Sequence, residues 1–421
     1  MKILIFEDEK CSKLFPLAVL RPVYDIITGA MSGKSRLLIN CGKKYEVALH
    51  CRNILAPFVK SENIKLKVNE IENDDYIFLN GRVSFPAKFL EQLIKKIKPD
   101  DAVKSDDTLI AAKVKKDDII KFKKIIESNK EDNTLSLKDF RDFNYKSPED
   151  IDSVHGLIIY NYPWDVLNNY GNNLSEDLKF IQKGIKKIKN ASKGITVIEK
   201  KSVCISKKAK VHPYSEFDAS AGMIVIEEGA VIEPFVYIKG PVYIGKNSVV
   251  KAGTKIIGPT FIGDGSKVSG EISECIFQYC VNKQHDGFIG NTYACPFVNF
   301  GADTVTSNLK NNYSKVRVKF NGEQINTGMQ FLGSIVGDHT KFGINTMLNT
   351  GTICGIFANV AGGGFPDKWI DSFEWNIIGS GVERYKIEEA IETAKIVMGR
   401  RHIEMSKEYE ALVREVYNVK C

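Results

Sequence analysis

The sequence predicts an α/β domain followed by a parallel β-helix and closed by a C-terminal α-helix. Three observations carry this. Residues 203–362 carry a six-residue period of large apolar residues, in shifted registers before 226 and after 331, residues 1–180 alternate short apolar runs with helical spacing, and residues 383–418 keep one apolar helical stripe. The expected boundaries are 1–180 for the α/β domain, 181–202 for a linker, 203–370 for the β-helix, and 371–421 for a closing loop and helix. A length of 421 residues suits two or three domains, at roughly 100–200 residues each.

The period is the strongest signal. Every sixth residue from Ile226 is Ile232, Ile238, Ile244, Val250, Ile256, Ile262 and Val268, all β-branched. Four positions after each stand compact residues, among them Ala230, Val236, Val242, Ser248, Thr254, Thr260 and Ser266. A six-residue period fits neither 3.6 residues per turn nor simple alternation. It fits a coil whose three flat sides each take one hexad, with the aliphatic residue inside and small residues at the corners. Such coils stack at about 4.8 Å and build side-chain ladders. An ordinary β-sandwich would need hairpin turns every 8–12 residues instead. The repeat breaks near 308–331, where Asn308–Ser314 is polar and turn-rich, and a loop protruding from the coil is expected there.

In residues 1–180, Ile3–Phe6, Tyr76–Leu79 and Gly156–Tyr160 read as buried strands, and Ala87–Ile97 and Asp117–Glu127 as helices. Strands alternating with helices predict a largely parallel sheet. Segment 175–195, with Lys183, Lys186, Lys187, Lys189 and Lys193, reads as a solvated helical connector. The stripe Ile387, Ile391, Ala394, Met398, Met405, Tyr409, Leu412 and Val416 reads as a helix packed on the prism or on another subunit. Arg400 and Arg401 fall on its charged face.

Composition narrows the function. With 43% hydrophobic and 26% charged residues, the chain is of globular type. The net charge of +7 is spread along the chain, which argues against a nucleic-acid groove and suits phosphate-bearing small substrates. No run of about 18 apolar residues predicts a membrane span, and Ile3–Phe6 is too short for a signal peptide. Nine scattered cysteines without a Cys-x-x-Cys pair read as reduced thiols, which places the protein in the cytoplasm. No spacing of Cys and His predicts a metal site.

The hexads, together with Lys283–Gly290 and Val298–Asn308, resemble the acetyltransferase half of bifunctional N-acetylglucosamine-1-phosphate uridyltransferase/glucosamine-1-phosphate acetyltransferases. They are closer still to a bacterial sugar nucleotidyltransferase group with a shortened N-terminal domain. Thr327-Gly328, Gly337–Thr340, Gly343–Thr346 and Gly362–Pro366 belong to that pattern. The resemblance implies a left-handed β-helix, a homotrimer with acceptor sites between adjacent prisms, and a shortened, Rossmann-like nucleotidyltransferase domain at the N-terminus. It implies acetyl-CoA as donor and an amino-sugar 1-phosphate as acceptor.

Acetyl transfer to an amino sugar needs a proton acceptor near neutrality, and histidine suits that task. His285 falls at the family's base position, and Asn299 and Asn308 follow at the family's spacing. The resemblance gives Asn299 to the acceptor sugar and Asn308 to the acyl donor or developing oxyanion. Phosphate on the acceptor needs cations, for which Lys283 and Lys315 are the candidates, with Arg317 and Lys319 nearby. Phe288, Asp303 and Ser273 depart from the family's tyrosine, glycine and lysine. His339 reads as a structural residue of a surface turn.

In the N-terminal half, nucleotidyl transfer would require a glycine cradle for a nucleoside triphosphate, Mg2+, and cations at the pyrophosphate. Here Glu7-Asp8-Glu9 occupies the glycine-loop position, and Leu79-Asn80-Gly81-Arg82 ends in arginine where a metal-binding aspartate is expected. Arg21, Asn80, Gly81 and Arg82 are the candidates to meet a nucleotide phosphate, and Asp165 reads as a helix cap. The leading expectation is a sugar-phosphate acetyltransferase with an attached, degenerate nucleotidyltransferase domain. The alternatives are a sugar-1-phosphate nucleotidyltransferase whose prism serves oligomerisation, and a non-catalytic trimeric scaffold.

Overall fold

The computed structural model describes residues 1–128, 133–188 and 194–419, so Lys189, Lys193 and Cys421 lie outside the described residues. The chain forms two compact units. Among the described residues, the first comprises those of 1–26, 31–162 and 406–419, and the second those of 27–30 and 163–405.

The first unit is built on a seven-stranded sheet. Strands β1 (Lys2–Phe6), β2 (Val47–Leu49), β3 (Lys67–Val68) and β4 (Tyr76–Asn80) pair in parallel in the order β3-β2-β1-β4. Thr108–Val114 then adds antiparallel to β4, followed by Asp101–Ser105 and Asn144–Lys146. The parallel half forms because its strands are apolar on both faces: Ile3, Leu4, Ile5 and Phe6 are all buried. One face carries an aromatic cluster in which Phe78 meets Phe122 and Phe140 edge-on at 5.2 and 5.9 Å. Helices α1 (Gly33–Cys41), α2 (Ala56–Glu62), α3 (Ala87–Lys96) and α4 (Ile119–Ile126) complete the α/β pattern.

One strand differs from expectation. Within 156–160 only Ile158–Ile159 is strand, half-buried and paired with Val83–Ser84 in a separate ribbon. The apolar run there was too short to discriminate between the main sheet and an edge.

The second unit is a three-faced parallel β-helix. Strands of two to four residues stack in sheets of six, nine and ten, beginning at Thr196–Ile198, Val203–Ile205 and Lys210–Val211, and the ten-stranded sheet ends in an antiparallel pair, Glu374–Ile377 with Gly381–Arg384. All eight residues of the period from Ile226 to Val268 are fully buried. The corner hydroxyls are buried too, and they bond to corner carbonyls: Thr254 to Lys251, Thr304 to Gly301 and Thr346 to Gly343, at 2.6–2.8 Å. A polar group inside the coil is tolerated because its hydrogen bond is made.

Several boundaries shift. Helix α5 (Pro163–Ile181) belongs with the β-helix rather than with residues 1–162, because Gly171 lies against Pro259 and Tyr170 donates to the Pro259 carbonyl. Among the described residues of the lysine-rich connector, helix ends at 184, and Lys187 then bridges antiparallel to Ser206. The C-terminal stripe is two helices, α6 (Ile387–Gly399) and α7 (Lys407–Asn418). Ser406 caps the second through the Tyr409 amide, and Tyr409 packs on Phe58 at 5.1 Å, so α7 returns to the first unit. The loop at 308–331 contains an antiparallel hairpin, Arg317–Phe320 with Glu323–Asn326. Val316, Val318 and Phe320 are buried, and Phe320 meets Trp164 and Trp369 edge-on at 5.8 and 5.5 Å. The eight cysteines among the described residues are buried free thiols. No described helix is long and apolar enough to cross a membrane.

Candidate functional site

His285 lies on the four-residue turn 284–287 that joins strand Asn282–Lys283 to strand Phe288–Gly290. The imidazole is exposed, and no described residue hydrogen-bonds to it. Beneath this turn, Val268 and Glu271 are joined by only Ser269 and Gly270, so the preceding corner is two residues shorter. The His285 turn therefore overhangs a recessed coil.

The turn differs from its neighbours in the stack. Turns 251–254, 301–304 and 343–346 each end in a threonine that bonds the carbonyl three residues back. Their third residues, Gly253, Asp303 and Asn345, have positive φ. In 284–287 the fourth residue is Gly287, and it takes φ +125°. A side chain there would be strained and would meet the Thr304 carbonyl oxygen at 2.4 Å, so glycine is required.

Lys283 supplies the missing clamp. It occupies an inward position, in register with Val268 on one side and beside Phe300 on the other, and it is fully buried. Its Nζ donates to the main-chain carbonyls of both His285 and Asp286. The expectation that Lys283 contacts a substrate phosphate is therefore corrected: its ammonium faces the turn backbone, inside the prism. Burial lowers its pKa to about 8, against opposing pulls from Asp286 and Asp303.

That shift has a measurable sign. Between the lowered value and the ordinary lysine value, the unfolded chain holds a proton that the folded chain has released, so stability rises with pH from about 8 to about 10.5 on account of Lys283. Lys283→Met lacks this contribution. Its stability relative to the natural protein should be greatest near pH 7.5 and shrink by pH 10 in parallel urea titrations; a gap that stays constant or widens would refute the burial of a charged amine. Lys341, also lowered to about 8 by burial, is present in both proteins and cancels.

Asn299 is half-buried on the outer side of its strand, and its Oδ1 accepts from Asn282 Nδ2 at 2.6 Å. Asn308 lies beyond strand Val305–Thr306; its Nδ2 donates to Asn291 Oδ1 at 2.7 Å, and Asn291 Nδ2 donates to Glu274 at 2.8 Å. Lys315, Arg317 and Lys319 are exposed on the protruding loop. Among the described residues, no hydrogen bond joins His285, Asn299 and Asn308. The sequence reading missed the Glu274–Asn291 pair and Lys341. The period could have found Lys341, which precedes inward Phe342 as Asn299 precedes Phe300, and which pairs with Asn299. His339 is buried, stacked between Phe297 and Phe357 at 4.8 and 4.5 Å, so its role is packing within a ladder of corner rings.

The candidates of the first unit sit differently from expectation. In a doubly wound sheet, ligands meet the carboxyl ends of the strands where strand order reverses, here beside β1 and β4. Glu7 and Asp8 follow β1 at that place, and both are buried. Asp8 takes Arg82 side-on, from Nε at 2.6 Å and Nη2 at 2.5 Å. Arg82 Nη1 donates to the Tyr160 carbonyl and Asn161, at 2.8 and 3.1 Å. Glu7 holds Arg52 and accepts the amides of Val23 and Arg52, each at 2.9 Å.

Arg82 is thus a buried counterion, which corrects its assignment to phosphate. Asn80 is corrected likewise: its amide donates to Asp8 and to the Leu109 carbonyl. Gly81 is explained by packing, since a Cβ would lie 2.9 Å from the Tyr24 ring. Arg21 remains half-buried, bonded to the Leu17 carbonyl at 2.7 Å. Magnesium does not fit these residues: the Glu7 and Asp8 carboxylates are engaged by arginines, and no group of three His, Cys, Asp or Glu among the described residues is placed to hold a metal.

Comparison with known proteins adds sequence likenesses to this geometry. Residues 3–186 match the sugar nucleotidyl transferase family, and residues 223–258 match six bacterial transferase hexapeptide repeats. The chain pairs a sugar nucleotidyltransferase-type domain with hexapeptide repeats, and its stacked parallel sides are those of a left-handed β-helix. It is 33% identical over 149 residues to a bifunctional sugar-1-phosphate nucleotidylyltransferase/acetyltransferase of Sulfurisphaera tokodaii. That match spans 35% of this chain and 37% of the relative's length. Among solved structures, a UDP-N-acetylglucosamine acyltransferase from Bacteroides fragilis is similar at 14% identity and a TM-score of 0.30, covering 51% of this chain and 97% of that one. AntD, an N-acyltransferase from Bacillus cereus, is similar at 19% identity and a TM-score of 0.20, covering 52% and 96%.

Proposed function

We propose that this protein transfers an acetyl group from acetyl-CoA to the amine of an amino-sugar 1-phosphate, with His285 as general base. The observation that carries the proposal is the exposed imidazole on a turn of rigid prism wall, above a shortened corner. In the reaction, His285 takes a proton from the acceptor nitrogen, and the nitrogen attacks the thioester carbonyl. The carbon–sulfur bond then breaks, and the leaving thiolate takes up the proton.

In this reading Asn299 holds the acceptor sugar through its amide N–H. Asn308, with one amide hydrogen already on Asn291, turns its second to the developing oxyanion. Lys315 meets the acceptor phosphate. His285, Asn299 and Asn308 share no hydrogen bond within one chain, so the reading assigns completion of the cleft to a neighbouring protomer of a cytoplasmic homotrimer. The partial identity to a relative whose name includes acetyltransferase supports it.

Sugar-1-phosphate nucleotidyl transfer is the second reading, favoured by the family match over 3–186. The buried Asp8–Arg82 and Glu7–Arg52 pairs weigh against it. One experiment separates the two. Purified protein is given acetyl-CoA with glucosamine-1-phosphate, and separately nucleoside triphosphates with sugar-1-phosphates, and products are weighed by mass spectrometry. An acetylated amino-sugar phosphate is the expected product. Nucleotide-sugar formation without acetyl transfer would replace the first reading with the second, and no turnover in either arm would leave a binding or scaffold role.

A further inference from the structure

We propose that Lys283 is a positioning residue for His285: from inside the prism its ammonium grips the two carbonyls of the turn and so sets the direction in which the imidazole is presented. This rests on the reading that His285 is the base.

Four observations converge on it. Around Lys283 the inward ladder of this face runs Val250, Val268, Lys283, Phe300, Phe342 and Val360, so one coil carries a cation where the two before it and the three after it carry apolar side chains. A buried ammonium is costly unless its hydrogen bonds are made, and the partners here are the carbonyls of His285 and Asp286. The corner threonine of turns 251–254, 301–304 and 343–346 is replaced here by Gly287, whose missing side chain leaves the space that Nζ enters; a Cβ would lie 3.2 Å from it. The backbone also differs, with positive φ moved from the third residue of the turn to the fourth. Lysine and glycine together exchange a hydroxyl clamp for an ammonium clamp, at the turn that bears the exposed histidine. A lysine serving only the core would have no reason to replace the apolar residue that every neighbouring coil uses.

The test uses Lys283→Met in the full-length protein. Methionine fills an apolar interior without a charge, so the fold should persist, and Lys283→Gln is the second variant should the first prove insoluble. The first readout is amide exchange at Asp303, whose N–H donates to the clamped Asp286 carbonyl at 3.0 Å. Faster exchange confined to peptides spanning 284–304 is expected, with no change in the coils at 224–262. The second is steady-state acetyl transfer from acetyl-CoA to glucosamine-1-phosphate. The expected result is a fall in kcat on the order of 10²-fold, the size of an ångström-scale misplacement, with KM for acetyl-CoA held within about twofold. On a His285→Ala background the same change should add almost nothing, because the two residues act as one unit. Unchanged exchange together with unchanged kcat would overturn the clamp. A large fall in kcat that is additive with His285→Ala would overturn positioning as its cause. If His285→Ala keeps full turnover, the base reading fails, and the exchange result alone then decides whether Lys283 holds the turn.

Discussion

Asp8→Asn should destabilise the first unit by about 3–5 kcal/mol, the usual cost of leaving a buried charge without its partner. Arg82 is fully buried, and its Nε and Nη2 both end on Asp8. Asparagine keeps one acceptor but no charge, so the guanidinium is left uncompensated in a low-dielectric interior. Replacing both partners by apolar residues, as in Asp8→Leu with Arg82→Met, should recover most of the loss, because no charge then remains to be solvated. The two-unit architecture makes the effect separable. All three tryptophans, Trp164, Trp369 and Trp375, lie in the second unit, so tryptophan fluorescence follows the β-helix. Asp8→Asn should leave that transition in place while amide exchange in β1 and β4 accelerates. Exchange in those strands as slow as in the natural protein would show that the pair contributes nothing to stability.

Of the acidic residues that stand where a phosphate-binding loop would carry glycines, Glu7 and Asp8 are each matched by an arginine brought from elsewhere in the chain. At the end of β1 these two carboxylates are held by internal ion pairs. The low net charge of the cluster is what allows it to be buried.

Much of the prism was legible because its rule is local. A six-residue spacing specifies an inward position whatever the rest of the chain does, and every sixth residue from Ile226 to Val268 obeys it. The same count, applied through Phe277, Lys283 and Ile289, puts Lys283 inside, yet the chemical expectation that lysine seeks water and phosphate pointed outward. Residue type overrode register, and register was right. The pairing of Glu7 with Arg52 and of Asp8 with Arg82 was not legible, because the partners are 45 and 74 positions apart and no pattern links them. Arg82 was recognised as hostile to a metal, but its counterion could come only from the fold. The docking of α5 was hidden for a related reason: its apolar face carries no mark of which neighbour it covers. The break between α6 and α7 has a sequence signal in the Ser406 cap, but the apolar stripe runs on across it in the sequence.

His285→Ala should lower acetyl transfer by about 10²–10⁴-fold, the range that a positioned general base supplies. The loss should fall on kcat, with KM for acetyl-CoA little changed, because the imidazole acts on the acceptor's proton and not on the donor's binding. Since His285 is exposed and bonds to no described residue, its removal leaves no cavity and no stranded partner. Melting temperature should therefore stay within about 1–2 °C of the natural protein, as expected for a surface substitution worth under 0.5 kcal/mol. The most direct measurement is the release of free coenzyme A thiol by natural protein and by His285→Ala, side by side, with acetyl-CoA and glucosamine-1-phosphate. The account predicts acceptor-dependent thiol release that collapses in the variant while both proteins melt together. Thiol release that proceeds at the same rate without the imidazole would contradict it.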